Sequence, residues 1–179
     1  LKASPEEHMG RVIAQGDLRP FAGQTRGKSA ALQEIRKLLA DRERLYGRIL
    51  ERCLAYGVGI VEAGEIDRIN ILRATLKAMK IAVESLGAIP GLVLVDGNRL
   101  PDLLVPAVAI TGGDGKSFSI AAASIVAKVT RDRIMREGAG VFHGYGLREN
   151  KGYGTPRHIE AIKKLGRTEF HRKSFRAGA

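Results

Sequence analysis

The fold is decided by the stretch LVLVDGNRLPDLLVPAVAITGGD, residues 92–114. Its two apolar runs, 92–95 and 105–111, each have the length and composition of a short buried strand. Asp96 follows the first run and Asp114 follows the second, and each has a Gly beside it. Because ligand sites in α/β sheets gather beyond the carboxyl ends of the strands, we expect these two carboxylates to lie close together there.

Helical patterns surround these two strands. Apolar residues recur every three or four positions in three segments, which predicts helices over 32–56, 65–86 and 119–136. A further helix is predicted from Thr155-Pro156 to Leu165, because Thr is a good N-cap and Pro is tolerated at the first helical position. The apolar run 58–61 predicts another short strand. Helices that alternate with short strands indicate an α/β protein.

The composition favours a basic globular protein. The 179 residues suit about one domain, and 44% are apolar, enough for a packed core. A net charge of +11 favours nucleic acid as the partner, although solubility, a ribosomal role or a membrane surface could also explain it. A single cysteine, Cys53, excludes an internal disulfide framework and fits the cytoplasm. No run is long enough to span a membrane, so we expect no membrane partner.

The start of the chain, Leu1 to Gly10, is polar and charged and lacks the pattern of a signal peptide. It begins with Leu rather than Met, as a fragment or a processed chain would. We expect the protein to be a monomer.

The two aspartates indicate a metal site. Two carboxylates that are brought together repel each other unless cations neutralise them, and Mg²⁺ prefers oxygen ligands of this kind. In a very basic protein, Asp96 and Asp114 therefore point to metal-assisted hydrolysis of a phosphodiester. On spacing alone, the alternative is that both residues only end their strands as turn formers.

Two other kinds of site are excluded by spacing. The four histidines are too scattered for a zinc site, and Cys53 has no cysteine partner. Residues 115–117 read Gly-Lys-Ser, as a P-loop does, but a P-loop needs a Gly five positions before Gly115. That position is Ile110, so a nucleotide triphosphatase is rejected.

Six segments together resemble the motifs of the ribonuclease HII family, in the family's order and at its approximate spacing. They are EIDRINIL (65–72), VLVDGN (93–98), GD (113–114), SIAAASIVAKVTRD (119–132), KGYGT (151–155) and HRKSF (171–175). The resemblance extends from about Lys37 to Phe175. It implies a ribonuclease H-like fold, in which a mixed sheet is flanked by helices and followed by a helical C-terminal part. The implied division is a catalytic domain over 1–140 and a substrate-binding extension over 141–179.

The resemblance also implies a function and a set of site residues. The implied activity is removal of RNA, or of single ribonucleotides, from duplexes with DNA, with Mg²⁺ or Mn²⁺ as cofactor. Asp96 and Asp114 match two of the family's four metal-binding carboxylates. Tyr153 matches the tyrosine that stacks on the sugar at the RNA–DNA junction, the alternative being a turn residue between glycines. Lys37 and Lys128 are candidates for phosphate contacts, with solvated helix lysines as the alternative.

The N-terminal segment departs from the family pattern. The family's first strand carries an Asp-Glu pair and is followed by a Gly-Arg-Gly loop, but residues 1–40 contain no Asp-Glu pair. Asp17 is the nearest match to the first aspartate, which bridges two cations in the family. Two interpretations therefore stay open: an active or impaired ribonuclease HII, and a non-catalytic nucleic-acid-binding homologue that keeps the scaffold.

Overall fold

The structure is a computed structural model and describes residues 41–174. Helices predominate in this part of the chain, and the only two strands in it are adjacent in sequence. The elements in chain order are α1 (41–52), α2 (Ala63–Ile69), α3 (Ile71–Glu84), β1 (Val93–Asp96), β2 (Ala107–Ile110), a 3₁₀ turn (Gly113–Gly115), α4 (Phe118–Gly138), α5 (Leu147–Asn150) and α6 (Pro156–Leu165).

Strands β1 and β2 form a parallel pair, as the apolar runs predicted. Val93 lies opposite Ala107, and Asp96 lies opposite Ile110. The Gly97 N–H donates to the Ile110 carbonyl at 3.0 Å, so the ladder continues just past the end of β1. Parallel pairing places the carboxyl ends of both strands at one edge of the sheet. Both predicted aspartates lie at or just beyond these strand ends.

The single helix predicted over 65–86 is wrong, because the chain forms two helices there. Asn70 separates α2 from α3 with φ 64° and ψ 166°, a backbone conformation that residues other than Gly rarely adopt. Its side-chain oxygen accepts the N–H of Arg73 at 3.1 Å and so caps α3. The apolar periodicity continues through the break, which is why it predicted one helix.

The strand predicted at 58–61 is also wrong. The segment packs its backbone directly against α3. A Cβ atom on Gly59 would lie 1.9 Å from the carbonyl oxygen of Ala78, and one on Gly57 would lie 2.1 Å from that of Ala82. Val61 is buried at the end of the segment. The apolar character of residues 58–61 therefore reflects packing on α3, and the segment forms no strand ladder among the described residues.

Helix α3 lies between the two parts of the core. On one side Val61, Ile66, Ala74 and Ala78 form a buried cluster, and on the other Met79 packs with the buried residues of β1. Small side chains on α3 allow this close packing on both sides.

The remaining helix predictions are confirmed within a few residues. The described part of the first predicted helix is α1, which ends at residue 52 rather than 56, and the helix after Asp114 is α4. Helix α6 begins at Pro156, and the hydroxyl of Thr155 accepts the N–H of His158 at 3.3 Å. No helix within residues 41–174 is both long enough and apolar enough to cross a membrane.

Candidate active site

The end of β1 is tied to the turn that follows β2. The side chain of Asp96 accepts the backbone N–H of Gly113 at 2.7 Å through Oδ1. Gly113 is buried beneath α4, where an added Cβ would lie 2.5 Å from Cδ1 of the fully buried Ile120 and 3.4 Å from Oδ1 of Asp96. A side chain at position 113 would force the buried Ile120 to shift, so the glycine helps the turn to lie close beneath α4.

Asp114 is the next residue after the one that Asp96 binds. It lies in the 3₁₀ turn, and its Oδ1 accepts the N–H of Gly115 at 2.9 Å. Both carboxylates are partly exposed. The fold thus brings Asp96 to the backbone of the residue that precedes Asp114, at the edge of the sheet where both strands end. Each uses one oxygen to close the turn, so the turn-forming alternative describes part of their role.

The chemistry of this pair suits a hard divalent cation. Mg²⁺ usually keeps several waters and takes one or two carboxylates together with phosphate oxygens of the substrate. Among residues 41–174, no group of three or more His, Cys, Asp or Glu side chains lies close enough to hold a metal ion. Asp96 and Asp114 are candidate ligands for such an ion among the described residues. Asp17 and Lys37 both lie outside them.

A second cluster of polar side chains surrounds Tyr153. Its hydroxyl accepts a hydrogen bond from the ammonium of Lys128, and Lys128 Nζ lies 4.6 Å from the centre of its ring. The guanidinium carbon of Arg131 lies 4.8 Å from the same centre. The structure thus brings together Tyr153 and Lys128, which the sequence proposed separately.

Two charged residues of this group were missed by the sequence analysis. Arg131 and Asp132 are buried on α4, with 6% and 8% of their surface exposed. Arg131 donates through Nη2 to the carbonyl oxygen of Lys151 at 2.9 Å, and its Nη1 lies 3.5 Å from Oδ1 of Asp132. Lys128 Nζ lies 4.0 Å from the same carboxylate oxygen. The available signal was an Arg-Asp pair in an alanine-rich helix, which is costly to bury unless each charge has a partner.

The C-terminal part is anchored by histidines and by one carboxylate. His158 is buried, with Nδ1 2.8 Å from the carbonyl oxygen of Tyr145, and its ring stacks on that of His171 at 5.3 Å. Asp67 of α2 accepts the backbone N–H groups of Lys173 and Ser174 at 2.6 and 2.9 Å. Burial raises the pKa of the Asp67 carboxyl, but the hydrogen bonds from these two residues outweigh burial, so the pKa is lowered. This carboxylate therefore holds the end of the described chain against α2.

Comparison with solved structures defines the class of fold. The structure is similar to the ribonuclease H2 from Pyrococcus horikoshii OT3, with a TM-score of 0.64 and 25% sequence identity. The similarity covers 77% of this chain and 73% of that one. The predicted ribonuclease H-like α/β fold with a helical C-terminal part is thereby confirmed.

Sequence comparison then identifies the family. The model of the ribonuclease HII family matches residues 28–177. The ribonuclease HII of Lachnoclostridium phytofermentans is 52% identical over 134 residues, which are 75% of this chain and 53% of that protein. The ribonuclease HII of Acetivibrio thermocellus is 49% identical over 145 residues, 80% of this chain and 57% of that protein. The chain therefore belongs to the ribonuclease HII family, as its motifs predicted.

The extent of these matches is informative. The chain spans about half the length of the curated relatives it matches. The family match begins at residue 28, after Asp17 and after the segment in which the sequence departs from the family pattern.

Proposed function

We propose that this protein is an endoribonuclease that cleaves the RNA strand of RNA–DNA hybrids, or single ribonucleotides embedded in duplex DNA, by metal-assisted phosphodiester hydrolysis. The observation that carries the proposal is the hydrogen bond from the Gly113 N–H to the Asp96 carboxylate, because it ties the end of β1 to the residue before Asp114 in a chain of the ribonuclease HII family. A net charge of +11 supports a polyanionic substrate.

Asp96 and Asp114 are the proposed metal ligands, and Asp17 is the proposed third. The cofactor is Mg²⁺ or Mn²⁺, which would polarise the phosphoryl oxygen and supply an activated water. The role of the protein residues is to hold the carboxylates in place before the metal arrives. The bond from the backbone of Gly113 does this for Asp96, and the 3₁₀ turn does it for Asp114.

The rest of the chain is proposed to bind the duplex. Tyr153 would stack on a sugar at the RNA–DNA junction, while Lys37 and Lys128 would contribute positive charge near phosphates. We divide the protein into a catalytic part over 1–140 and a helical substrate-binding extension over 141–179. A monomer that acts in the cytoplasm is proposed from the composition alone.

The test is metal-dependent cleavage of a duplex DNA that contains one ribonucleotide. Asp114→Asn keeps an oxygen that can accept the Gly115 N–H but removes the charge, so the turn should persist while metal binding fails. We expect a rate loss on the order of a thousandfold, equivalent to about 4 kcal/mol of transition-state stabilisation. Asp102→Asn is the matched control, because its side chain is 97% exposed and lies 3.3 Å from Lys80 Nζ at the surface. Equal rates for both variants would refute the assignment.

The alternative function rests on the sequence, because residues 1–40 contain no Asp-Glu pair. It is nucleic-acid binding without catalysis. A parent protein that binds the hybrid but does not cleave it with either metal would support this alternative.

The role of Asp17 is tested separately with Asp17→Asn. If Asp17 bridges two cations, the substitution should reduce cleavage about a thousandfold. Measurable parent activity that survives the substitution unchanged removes Asp17 from the site.

A further inference from the structure

We propose that Arg131, together with Lys128, is a positioning residue that fixes the orientation of the Tyr153 ring before substrate binds. The inference rests on the proposed function for the role of Tyr153 and goes beyond it in naming what holds the ring. Neither residue needs to touch the substrate to act in this way.

The spacing on α4 accounts for the arrangement. Residues three and four positions apart share one face of a helix, so Lys128, Arg131 and Asp132 all point to the same side of α4. From there Lys128 binds the hydroxyl of Tyr153, while the guanidinium of Arg131 lies against its ring. The ring is therefore held at two places by one rigid element. Asp132 lies beside both cations and offsets part of the cost of burying them.

Arg131 also holds the loop that carries the ring. Lys151 and Gly152 have φ of 52° and 80°, two consecutive residues in the left-handed region, which is unfavourable for Lys. The bond from Arg131 to the Lys151 carbonyl fixes this conformation two residues before Tyr153. A Cβ on Gly152 would lie 3.3 Å from the sulfur of Met135, so the loop is packed closely on α4.

The planar guanidinium suits this task better than an ammonium would. It can donate to a carbonyl, pair with a carboxylate and lie against an aromatic ring in a single conformation, whereas Lys offers one point charge. Arg131→Lys should therefore keep the charge and lose the positioning. Ordering one side chain in advance is worth about two- to tenfold in affinity.

The first test observes the ring directly. The chain has four tyrosines and no tryptophan, so 3-fluorotyrosine gives four ¹⁹F signals, and Tyr153→Phe assigns one of them. Arg131→Lys should shift and broaden the Tyr153 signal. Arg133→Lys is the matched control on the same helix, because the Arg133 guanidinium lies 4.4 Å from the ring of Tyr46. It should move the Tyr46 signal and leave that of Tyr153 in place. A Tyr153 signal unchanged by Arg131→Lys overturns the proposal.

The second test measures binding of a duplex with one ribonucleotide against the same duplex in DNA alone. Arg131→Lys should lower this preference two- to tenfold, and it should have no further effect in a Tyr153→Ala background. Equal effects in both backgrounds would mean that Arg131 does not act through Tyr153, and would overturn the proposal.

Lys128→Met is a second route to the same result if Arg131→Lys unfolds the protein, because Lys128 is less deeply buried. A failure of the proposed function would show in the cleavage assay, whereas the ¹⁹F signals report on the ring independently of cleavage.

Discussion

Lowering the pH should destabilise the fold through His171. Its ring is half-buried and stacks on His158 with the two planes 22° apart. Burial lowers the pKa of His171 to about 4, and the nearby His158 and Arg167 lower it as well. In the unfolded chain the imidazole returns to a pKa of about 6.5. Protonation between these two values therefore favours the unfolded state.

The size of the effect follows from the two pKa values. The pKa of His171 is lower in the folded protein than in the unfolded chain. Its contribution to stability is therefore fully present above about pH 6.5 and is lost as the pH falls toward 4. A drop from 6.5 to about 4 would correspond to about 3 kcal/mol for a fully enclosed ring. Since the ring is half exposed to solvent, we expect about 1–2 kcal/mol.

The assay is urea unfolding at pH 7.5 and pH 4.5 for the parent and for His171→Gln. The parent should lose about 1–2 kcal/mol more than the variant between the two pH values. Carboxylates that titrate in this range are present in both proteins, so their contribution cancels in the difference. His143→Gln is the control, because His143 is exposed, and it should behave as the parent does. Equal losses in the parent and His171→Gln would refute the reasoning.

Three further predictions concern packing, the C-terminal anchor and binding. Gly59→Ala should cost about 3 kcal/mol in urea unfolding because its Cβ would meet the Ala78 backbone, whereas Gly64→Ala, in open space on α2, should be neutral or stabilising. Asp67→Asn should cost about 1 kcal/mol and speed hydrogen exchange at Ser174, and unchanged exchange would contradict the anchoring role. Affinity for an RNA–DNA duplex should fall steeply between about 50 and 200 mM salt, and a flat response would exclude an electrostatic origin.

The sequence predicted the elements that depend on local pattern. Runs of apolar residues gave β1 and β2, and the position of Asp96 and Asp114 after them followed from a general property of parallel sheets. Thr155 and Pro156 predicted the start of α6 through capping chemistry alone. These signals lie within a few residues of the feature that they specify, so a single sequence contains them.

Features that depend on distant contacts were not predictable in the same way. The helix break at Asn70 preserves the apolar period, so only the backbone angles reveal it. Gly59 lies in an apolar run that resembles a strand, and its real role depends on a helix carbonyl nineteen positions later, at Ala78. Arg131 likewise finds its partner at Lys151, across a loop. Tertiary packing decided the cases of Gly59 and Arg131.

Helix α4 connects the two parts of the proposed site. Near its start, the buried Ile120 covers the turn that holds Asp96, and further along the helix Lys128 and Arg131 hold Tyr153. Lys128 and Arg131 lie eight and eleven residues after Ile120, which is about 12–17 Å along a helix axis at 1.5 Å per residue. If cleavage occurs at the carboxylates while Tyr153 stacks on a sugar, α4 sets the distance between the two events. A rigid helix is suited to this task because it changes length very little.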